Sequence, residues 1–110
     1  MHLKEYQKFA YQTAIYPGIG KNWEYTALGL AGEAGEICNI LKKSIRDDYG
    51  EITNEKLVKV KIELGDLIWY FVMLCHELKI NPDQVLESNI EKLQNRVKNN
   101  TLHDRGQNQR

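Results

Sequence analysis

Apolar residues recur at helical spacing along most of this chain. Positions three and four residues apart line one face of a helix. No segment alternates apolar and polar residues with the period of two that is typical of a strand. The pattern predicts an all-α fold, a four-helix arrangement. The four segments are about Leu3 to Ile15, about Trp23 to Ser44 or Ile45, from after Thr53-Asn54 to about Leu78, and from Asn81-Pro82 to about Lys98.

The boundaries of these segments carry residues that stop and start helices. Pro17-Gly18 predicts a turn after the first helix. Thr53 and Asn54 are both good N-cap residues ahead of the third helix. Asn81-Pro82 offers a cap followed by proline at the first helical position of the fourth. Residues 46–50, RDDYG, predict a loop between the second and third helices.

The third predicted helix is apolar on every side over residues 67–75, LIWYFVMLC. A helix of this kind needs cover on all sides. In so short a chain we expect the missing cover to come from a second subunit. We therefore predict an obligate homo-oligomer that completes the bundle, with a fully central helix in a monomer as the alternative. The run is about half of the roughly 20 residues that a membrane span requires, so we expect no membrane association.

Composition narrows the class of protein further. A chain of 110 residues is most simply one domain, and its 15 basic and 15 acidic residues give a net charge of zero. The chain has no excess of basic residues, so its charge does not favour a nucleic-acid polymer as a partner. Cys38 and Cys75 are isolated, so neither a disulfide framework nor a zinc site is indicated. The N-terminus lacks the apolar run of a signal peptide. We expect a soluble, cytoplasmic protein.

Two pairs of acidic residues are the candidate chemistry. Glu33 and Glu36 lie within LGLAGEAGEI, residues 28–37, which carries three glycines and no basic residue. Each glycine costs a helix about 1 kcal/mol relative to alanine. Glu63 and Asp66 form a similar pair around a glycine in the third helix. If the two helices pack antiparallel, the four carboxylates converge.

Converging carboxylates without cations repel one another, and a divalent cation relieves that repulsion. Mg²⁺ prefers oxygen ligands and retains several waters. The spacing therefore predicts a magnesium site. The alternative is that both pairs lie on solvated helix faces, with Lys59 one turn ahead of Glu63 as its ion-pair partner.

The segments GLAGEAGEI and ELGDLIWY together resemble the MazG-like nucleoside triphosphate pyrophosphohydrolases of the all-α NTP pyrophosphatase superfamily. The resemblance extends from EYQKFAYQTA to NIEKLQNR. It implies a homodimer or homotetramer that uses Mg²⁺, with Mn²⁺ as a substitute, to cleave NTPs or dNTPs to the monophosphate and pyrophosphate. The family's ExxE and ExxD pairs fall on Glu33, Glu36, Glu63 and Asp66, which are implied as metal ligands and catalytic residues.

The resemblance also implies substrate-binding residues. Tyr70 lies one turn beyond Asp66, and a core or interface role is its alternative. Asn89 and Lys92 match the family's N-x-x-K segment on the fourth helix. Arg96 shares their face and is otherwise a solvated cation at the helix end. Trp23 is a candidate to stack on the base, with packing as its alternative.

Some alternatives stay open at this level. The resemblance covers residues 1–100 as one MazG-like domain and leaves 101–110 as a polar tail. Related proteins often end in a GDNR-like tail, whereas this chain ends RGQNQR, which puts a substrate role for the tail in doubt. Phosphoribosyl-ATP or dUTP pyrophosphohydrolase activity is an alternative, as is a non-catalytic nucleotide-binding or dimerisation module. A di-iron carboxylate bundle fails because its Glu-x-x-His pairs are missing.

Overall fold

A computed structural model describes residues 1–99, and these fold into four α-helices with no strand among them. The helices are α1 (Leu3–Gln12), α2 (Trp23–Asp47), α3 (Asn54–Leu78) and α4 (Pro82–Lys98). The predicted all-α class is confirmed. The predicted polar tail, residues 101–110, lies outside the described residues.

Two helix ends differ from the prediction. α1 ends at Gln12 rather than Ile15, because its C-cap residue Thr13 leaves the helical conformation, with φ of −100° and ψ of 0°. The Thr13 hydroxyl donates a 2.8 Å hydrogen bond to the Ala10 carbonyl at this end. α2 continues to Asp47, past the predicted end at Ser44 or Ile45. It stops where Tyr49 and Gly50 take positive φ angles of 58° and 83°, which a right-handed helix does not allow.

Helices α2 and α3 form an antiparallel pair. Their contacts run in opposite senses along the two helices, since Gly29 meets Tyr70 near one end and Asp48 pairs with Lys56 near the other. Side-chain caps fix both starts. Asn22 accepts a hydrogen bond from the Tyr25 amide, and Thr53 accepts one from the Lys56 amide. The acidic pairs therefore lie on two helices that face each other.

The buried core lies where α1 crosses the second half of α3. It is built on Ala10, Tyr16, Val72 and Met73, and Val72 and Met73 have no solvent exposure. Much of the apolar run at residues 67–75 is thus covered by the chain's own first helix. The apolar pattern alone predicts that this cover comes from a second subunit.

Glu77, near the end of α3, is a buried carboxylate that fixes the loop between α1 and α2. It accepts hydrogen bonds from the Tyr16 hydroxyl, from the Gly20 amide at 2.7 Å and from the Asn22 amide at 2.6 Å. Burial raises the pKa of Glu77, but these hydrogen bonds outweigh it and leave the pKa below its usual value. The start of α2 is therefore held against α3.

Helix α4 packs mainly against α1. The Asp83 carboxylate accepts hydrogen bonds from the Leu3 amide at 2.9 Å and the Lys4 amide at 3.1 Å, which joins the first turns of the two helices. Farther along, α4 carries an apolar stripe that is exposed in the single chain, made of Leu86, Ile90, Leu93 and Val97. Within residues 1–99, no helix is long and apolar enough to cross a membrane.

Candidate active site: an acidic cleft between two helices

Three acidic side chains meet between α2 and α3. Glu33 comes from α2, and Glu63 and Asp66 come from α3. One carboxylate oxygen of each lies within 4.8 Å of the others. Glu33 and Glu63 are partly buried, whereas Asp66 is exposed at the rim. We call these three residues the acidic cluster.

Glu36 lies outside the acidic cluster, so the structure brings together three of the four expected carboxylates. Glu33 follows the fully buried Thr26 by two helical turns and therefore faces α3. Glu36 follows Glu33 by three residues, which rotates it by about 60° around the helix axis. It is exposed, and it influences the cluster through its charge.

The electrostatics of the cluster are those of crowded carboxylates. The Oε2 atom of Glu33 is buried and has no hydrogen-bond partner among the described residues. The pKa of Glu33 is raised to about 7, first by a hydrogen bond that its protonated form makes with Glu63, then by burial and by the charges of Glu63, Asp66 and Glu36. Without a cation, Glu33 therefore releases its proton at a higher pH than an isolated glutamate does.

No ion pair within residues 1–99 neutralises these three acids. The alternative considered from the sequence was an ion pair between Lys59 and Glu63, and this pair does not form within these residues. Three carboxylates on two facing helices, one with an unpartnered buried oxygen, match the hard oxygen donors that Mg²⁺ prefers. The donor set therefore fits a divalent cation held by Glu33, Glu63 and Asp66.

A cleft of about 370 Å³ opens beside the acidic cluster. Thr13, Trp69 and Tyr70 line it together with Glu33 and Asp66. The Trp69 ring meets the Tyr70 ring edge to face, with centroids 5.0 Å apart, and its indole nitrogen donates a 2.8 Å hydrogen bond to the Thr13 hydroxyl. The cleft is thus bordered by the acids and by a fixed aromatic wall, which is formed by Trp69 and Tyr70.

Gly29 is required by the position of Tyr70. A Cβ atom at residue 29 would lie 2.1 Å from Cε1 of the Tyr70 ring, far inside van der Waals contact. The ring therefore packs directly on the backbone of α2. Gly32, Gly35 and Gly65 differ, because a Cβ atom there would meet nothing within 4 Å. Close approach of a neighbouring side chain thus explains Gly29, whereas the other three glycines border open space.

The remaining expected substrate residues do not line this cleft in the same chain. Trp23, at the first position of α2, is 53% exposed. Asn89, Lys92 and Arg96 all lie on α4, whose main contacts are with α1, and none is among the residues that line the cleft. Of the five expected substrate residues, Tyr70 alone lies beside the acids.

Several residues of the cleft were missed by sequence reasoning. Thr13 and Trp69 are 56 positions apart in the chain and meet only through the packing of α1 on α3. Tyr25 extends the aromatic wall, with its ring 6.5 Å from Tyr70 and stacked on Tyr16 at 5.0 Å. The position of Trp69 three residues beyond Asp66 was the one available signal, since it places both near one face of α3.

The chain is similar to known proteins along most of its length. The sequence profile of the MazG nucleotide pyrophosphohydrolase domain matches residues 21–101. The Gene 37 protein of Mycobacterium phage L5 is 41% identical, in an alignment covering 98% of this chain and 99% of that protein. No solved structure matches the chain significantly. The matched range contains the whole acidic cluster.

Proposed function

This chain belongs to the MazG nucleotide pyrophosphohydrolase family, and we propose that it hydrolyses a nucleoside or deoxynucleoside triphosphate to the monophosphate and pyrophosphate in a Mg²⁺-dependent reaction. The observation that carries the proposal is the acidic cluster, in which three carboxylates lie within 4.8 Å of one another and no cation of the described chain neutralises them.

The three acids would hold the metal, with Glu36 close enough to act on the cluster through its charge. A bound Mg²⁺, or Mn²⁺ in its place, would supply Lewis-acid stabilisation of the charge on the phosphate oxygens. In that case the three acids are metal ligands rather than charged residues on solvated helix faces. Because these ligands lie together before a metal binds, their carboxylates crowd one another, and this crowding raises the pKa of Glu33.

The aromatic wall would hold the nucleoside. The cleft volume of about 370 Å³ lies in the range typical of small-molecule sites. Nucleobases stack on aromatic rings with little dependence on sequence. Trp69 and Tyr70 offer such a surface next to Asp66, so a base against the wall would bring its phosphates to the acids. Water then attacks the α-phosphorus, a carboxylate of the cluster takes its proton, and pyrophosphate leaves.

We further propose that the enzyme is a homodimer or homotetramer. The apolar stripe on α4 is exposed in the single chain, and Ile90 within it is 54% exposed. The radius of gyration is 17.0 Å, whereas a compact chain of this length has about 13 Å. Packing the stripe onto a second copy would place Asn89, Lys92 and Arg96, which lie on the same helix, close to that copy. We propose that their phosphate contacts are made with substrate in the cleft of that second copy, since they do not line the cleft of their own chain.

The decisive experiment is a panel of NTPs and dNTPs incubated with Mg²⁺, with the products separated by chromatography. It includes dUTP and phosphoribosyl-ATP, the substrates of the alternative activities. Monophosphate plus pyrophosphate from a triphosphate supports the proposal. Diphosphate plus orthophosphate would contradict the attack at the α-phosphorus. No turnover of any substrate would favour the non-catalytic nucleotide-binding module.

Isotope labelling locates the attacked phosphorus directly. Hydrolysis in water enriched in the heavy oxygen isotope should place the label in the monophosphate, because the attacking oxygen stays on the α-phosphorus. Mass spectrometry of both products measures it. Label in the pyrophosphate would mean attack at the β-phosphorus and would contradict the proposed reaction.

A further inference from the structure

A second cavity, of about 370 Å³, lies at the C-terminal end of α3, whereas the acidic cluster lies at the middle of this helix. Its lining includes Lys4 from α1 and both His76 and Lys79 from the end of α3. No carboxylate is among its lining residues. We call it the basic cavity. In a chain of zero net charge, such a concentration of basic groups around one cavity needs an explanation.

The two lysines of the basic cavity are not engaged elsewhere. No ion pair within residues 1–99 involves Lys4 or Lys79. Two carboxylates lie close in sequence to the residues that line the cavity and bind neutral donors. Asp83 accepts the amides of Leu3 and Lys4, and Glu77 accepts the Tyr16 hydroxyl and two loop amides. Neither acid forms an ion pair with the side chain of Lys4 or Lys79.

The walls of the cavity are fixed by hydrogen bonds. Gln7 donates from its side chain to the Val72 carbonyl at 2.8 Å, which ties α1 to α3. Lys79 holds the left-handed conformation that ends α3, with φ of 60°. Asn81 caps α4 through a 2.9 Å hydrogen bond from the Asp83 amide. The backbone that carries the basic groups is thus fixed, while the side chains of Lys4 and Lys79 are exposed.

A neighbouring cavity of about 420 Å³ shares Gln7 and His76 with the basic cavity and adds Lys8 and Tyr11. The Tyr11 ring lies 5.0 Å from the His76 ring. The two cavities together form a groove that has cationic groups at one end and an aromatic side chain at the other. That combination suits an anion carrying an organic group, such as a nucleotide.

We propose that the basic cavity binds a phosphoryl group, supplied either by free pyrophosphate or by a nucleoside monophosphate whose nucleoside extends toward Tyr11. This site is distinct from the acidic cleft, because Asp66 and His76 are ten residues apart on α3, roughly 15 Å along its axis. The proposal does not depend on catalysis, since it concerns a metal-free anion site.

The test is calorimetric titration of the full chain with pyrophosphate and with AMP, in the presence of a chelator. Removing the metal excludes the acidic cleft, where unneutralised carboxylates repel phosphate. The wild type should bind at least one probe, and the tighter probe identifies the source of the phosphoryl group. The double variant Lys4→Ala/Lys79→Ala should weaken that binding by about tenfold or more.

The matched control is Lys59→Ala/Lys61→Ala, which removes the same charge from exposed positions of α3 that line none of the described cavities. It should bind like the wild type. The proposal is overturned if neither probe binds the wild type, or if the two double variants lose affinity equally. Equal loss would show a response to net charge rather than to the cavity. Circular dichroism of both variants confirms that they are folded.

Discussion

At the scale of single residues, the contact between Gly29 and Tyr70 shapes the cleft. The tyrosine ring occupies the space that a side chain at residue 29 would fill, and it borders the acids on its other side. Burial, Tyr25 and the charges of Glu33 and Asp66 raise the pKa of Tyr70, so its hydroxyl stays protonated beside these acids. The position of the aromatic wall thus depends on a glycine in the facing helix.

Gly29→Ala tests this dependence. The added methyl group must displace the Tyr70 ring, and overpacking of this kind costs about 1 to 3 kcal/mol. Gly32→Ala is the control, because a methyl group there meets nothing within 4 Å. It should gain about 0.5 to 1 kcal/mol from the better helix propensity. Urea unfolding measures both. Equal stabilities for the two variants would contradict the contact.

The acidic residues show how far residue-level prediction reaches. Helical spacing placed Glu33, Glu63 and Asp66 on facing sides of α2 and α3, and the structure brings these three together. The same spacing grouped Glu36 with Glu33, but the rotation of about 60° between them leaves it at the edge. Trp69 and Thr13 could not be found in this way, because their contact depends on how α1 crosses α3.

At the scale of elements, the loop between α1 and α2 depends on one carboxylate of α3. Glu77 is 8% exposed and accepts three hydrogen bonds from this loop and its flanks. The loop positions the first turn of α2, the helix that carries Glu33. No local pattern marks Glu77 as special, since its partners lie 55 to 61 residues away in the chain. Most helix ends, by contrast, followed from local caps.

Glu77→Gln tests this role and its pH dependence. Losing the charged acceptor should destabilise the protein by about 1 to 3 kcal/mol near neutral pH. Because the folded pKa of Glu77 is below the ordinary glutamate value of 4.5, the wild type has this stabilisation above that pH and loses it as the pH falls through the folded pKa. The difference between the proteins should therefore shrink in acid.

Urea unfolding at a series of pH values measures this difference. The control is Glu87→Gln, which makes the same chemical change at an exposed position of α4. It should leave the stability near that of the wild type throughout. If Glu77→Gln lowers the free energy of unfolding by the same amount at every pH, the hydrogen bonds do not require the ionised carboxylate.

At the scale of the whole molecule, the single chain leaves several apolar surfaces uncovered. Two of them are the stripe on α4 and the first half of α3, where Val58 and Ile62 are each 59% exposed. The family, predicted from GLAGEAGEI and ELGDLIWY, is confirmed. The homo-oligomer stays a prediction, and its argument now rests on these two surfaces more than on residues 67–75.

Ile90→Asp tests the α4 stripe as a subunit interface. The residue is exposed in the single chain, so a carboxylate there should leave the fold intact. In an oligomer it would be buried without a partner and should reduce the molar mass measured by light scattering. Ser88→Asp, on the opposite side of α4, should keep the mass of the wild type. An unchanged mass for Ile90→Asp would remove the stripe from the interface.

Mixing two inactive variants tests whether the site is shared between subunits. Asp66→Asn should lose the metal site, and Lys92→Ala should lose phosphate binding while its magnesium affinity stays nearly unchanged. If Lys92 acts on the cleft of a second copy, a mixed oligomer contains one cleft with both residues intact. Partial activity should then return on mixing. A mixture that exchanges subunits and stays inactive would place both residues in one chain's site.

The metal site at the acidic cluster is tested most directly by the thermal stability of Asp66→Asn with and without Mg²⁺. Removing one repelling charge should leave the metal-free melting temperature unchanged or raise it, while turnover is lost. Magnesium should stabilise the wild type, by about 2.7 kcal/mol at a hundred times its Kd, and the variant much less. Glu51→Gln, an exposed loop carboxylate, should behave like the wild type. An Asp66→Asn protein with full activity and the full magnesium shift would contradict the metal site.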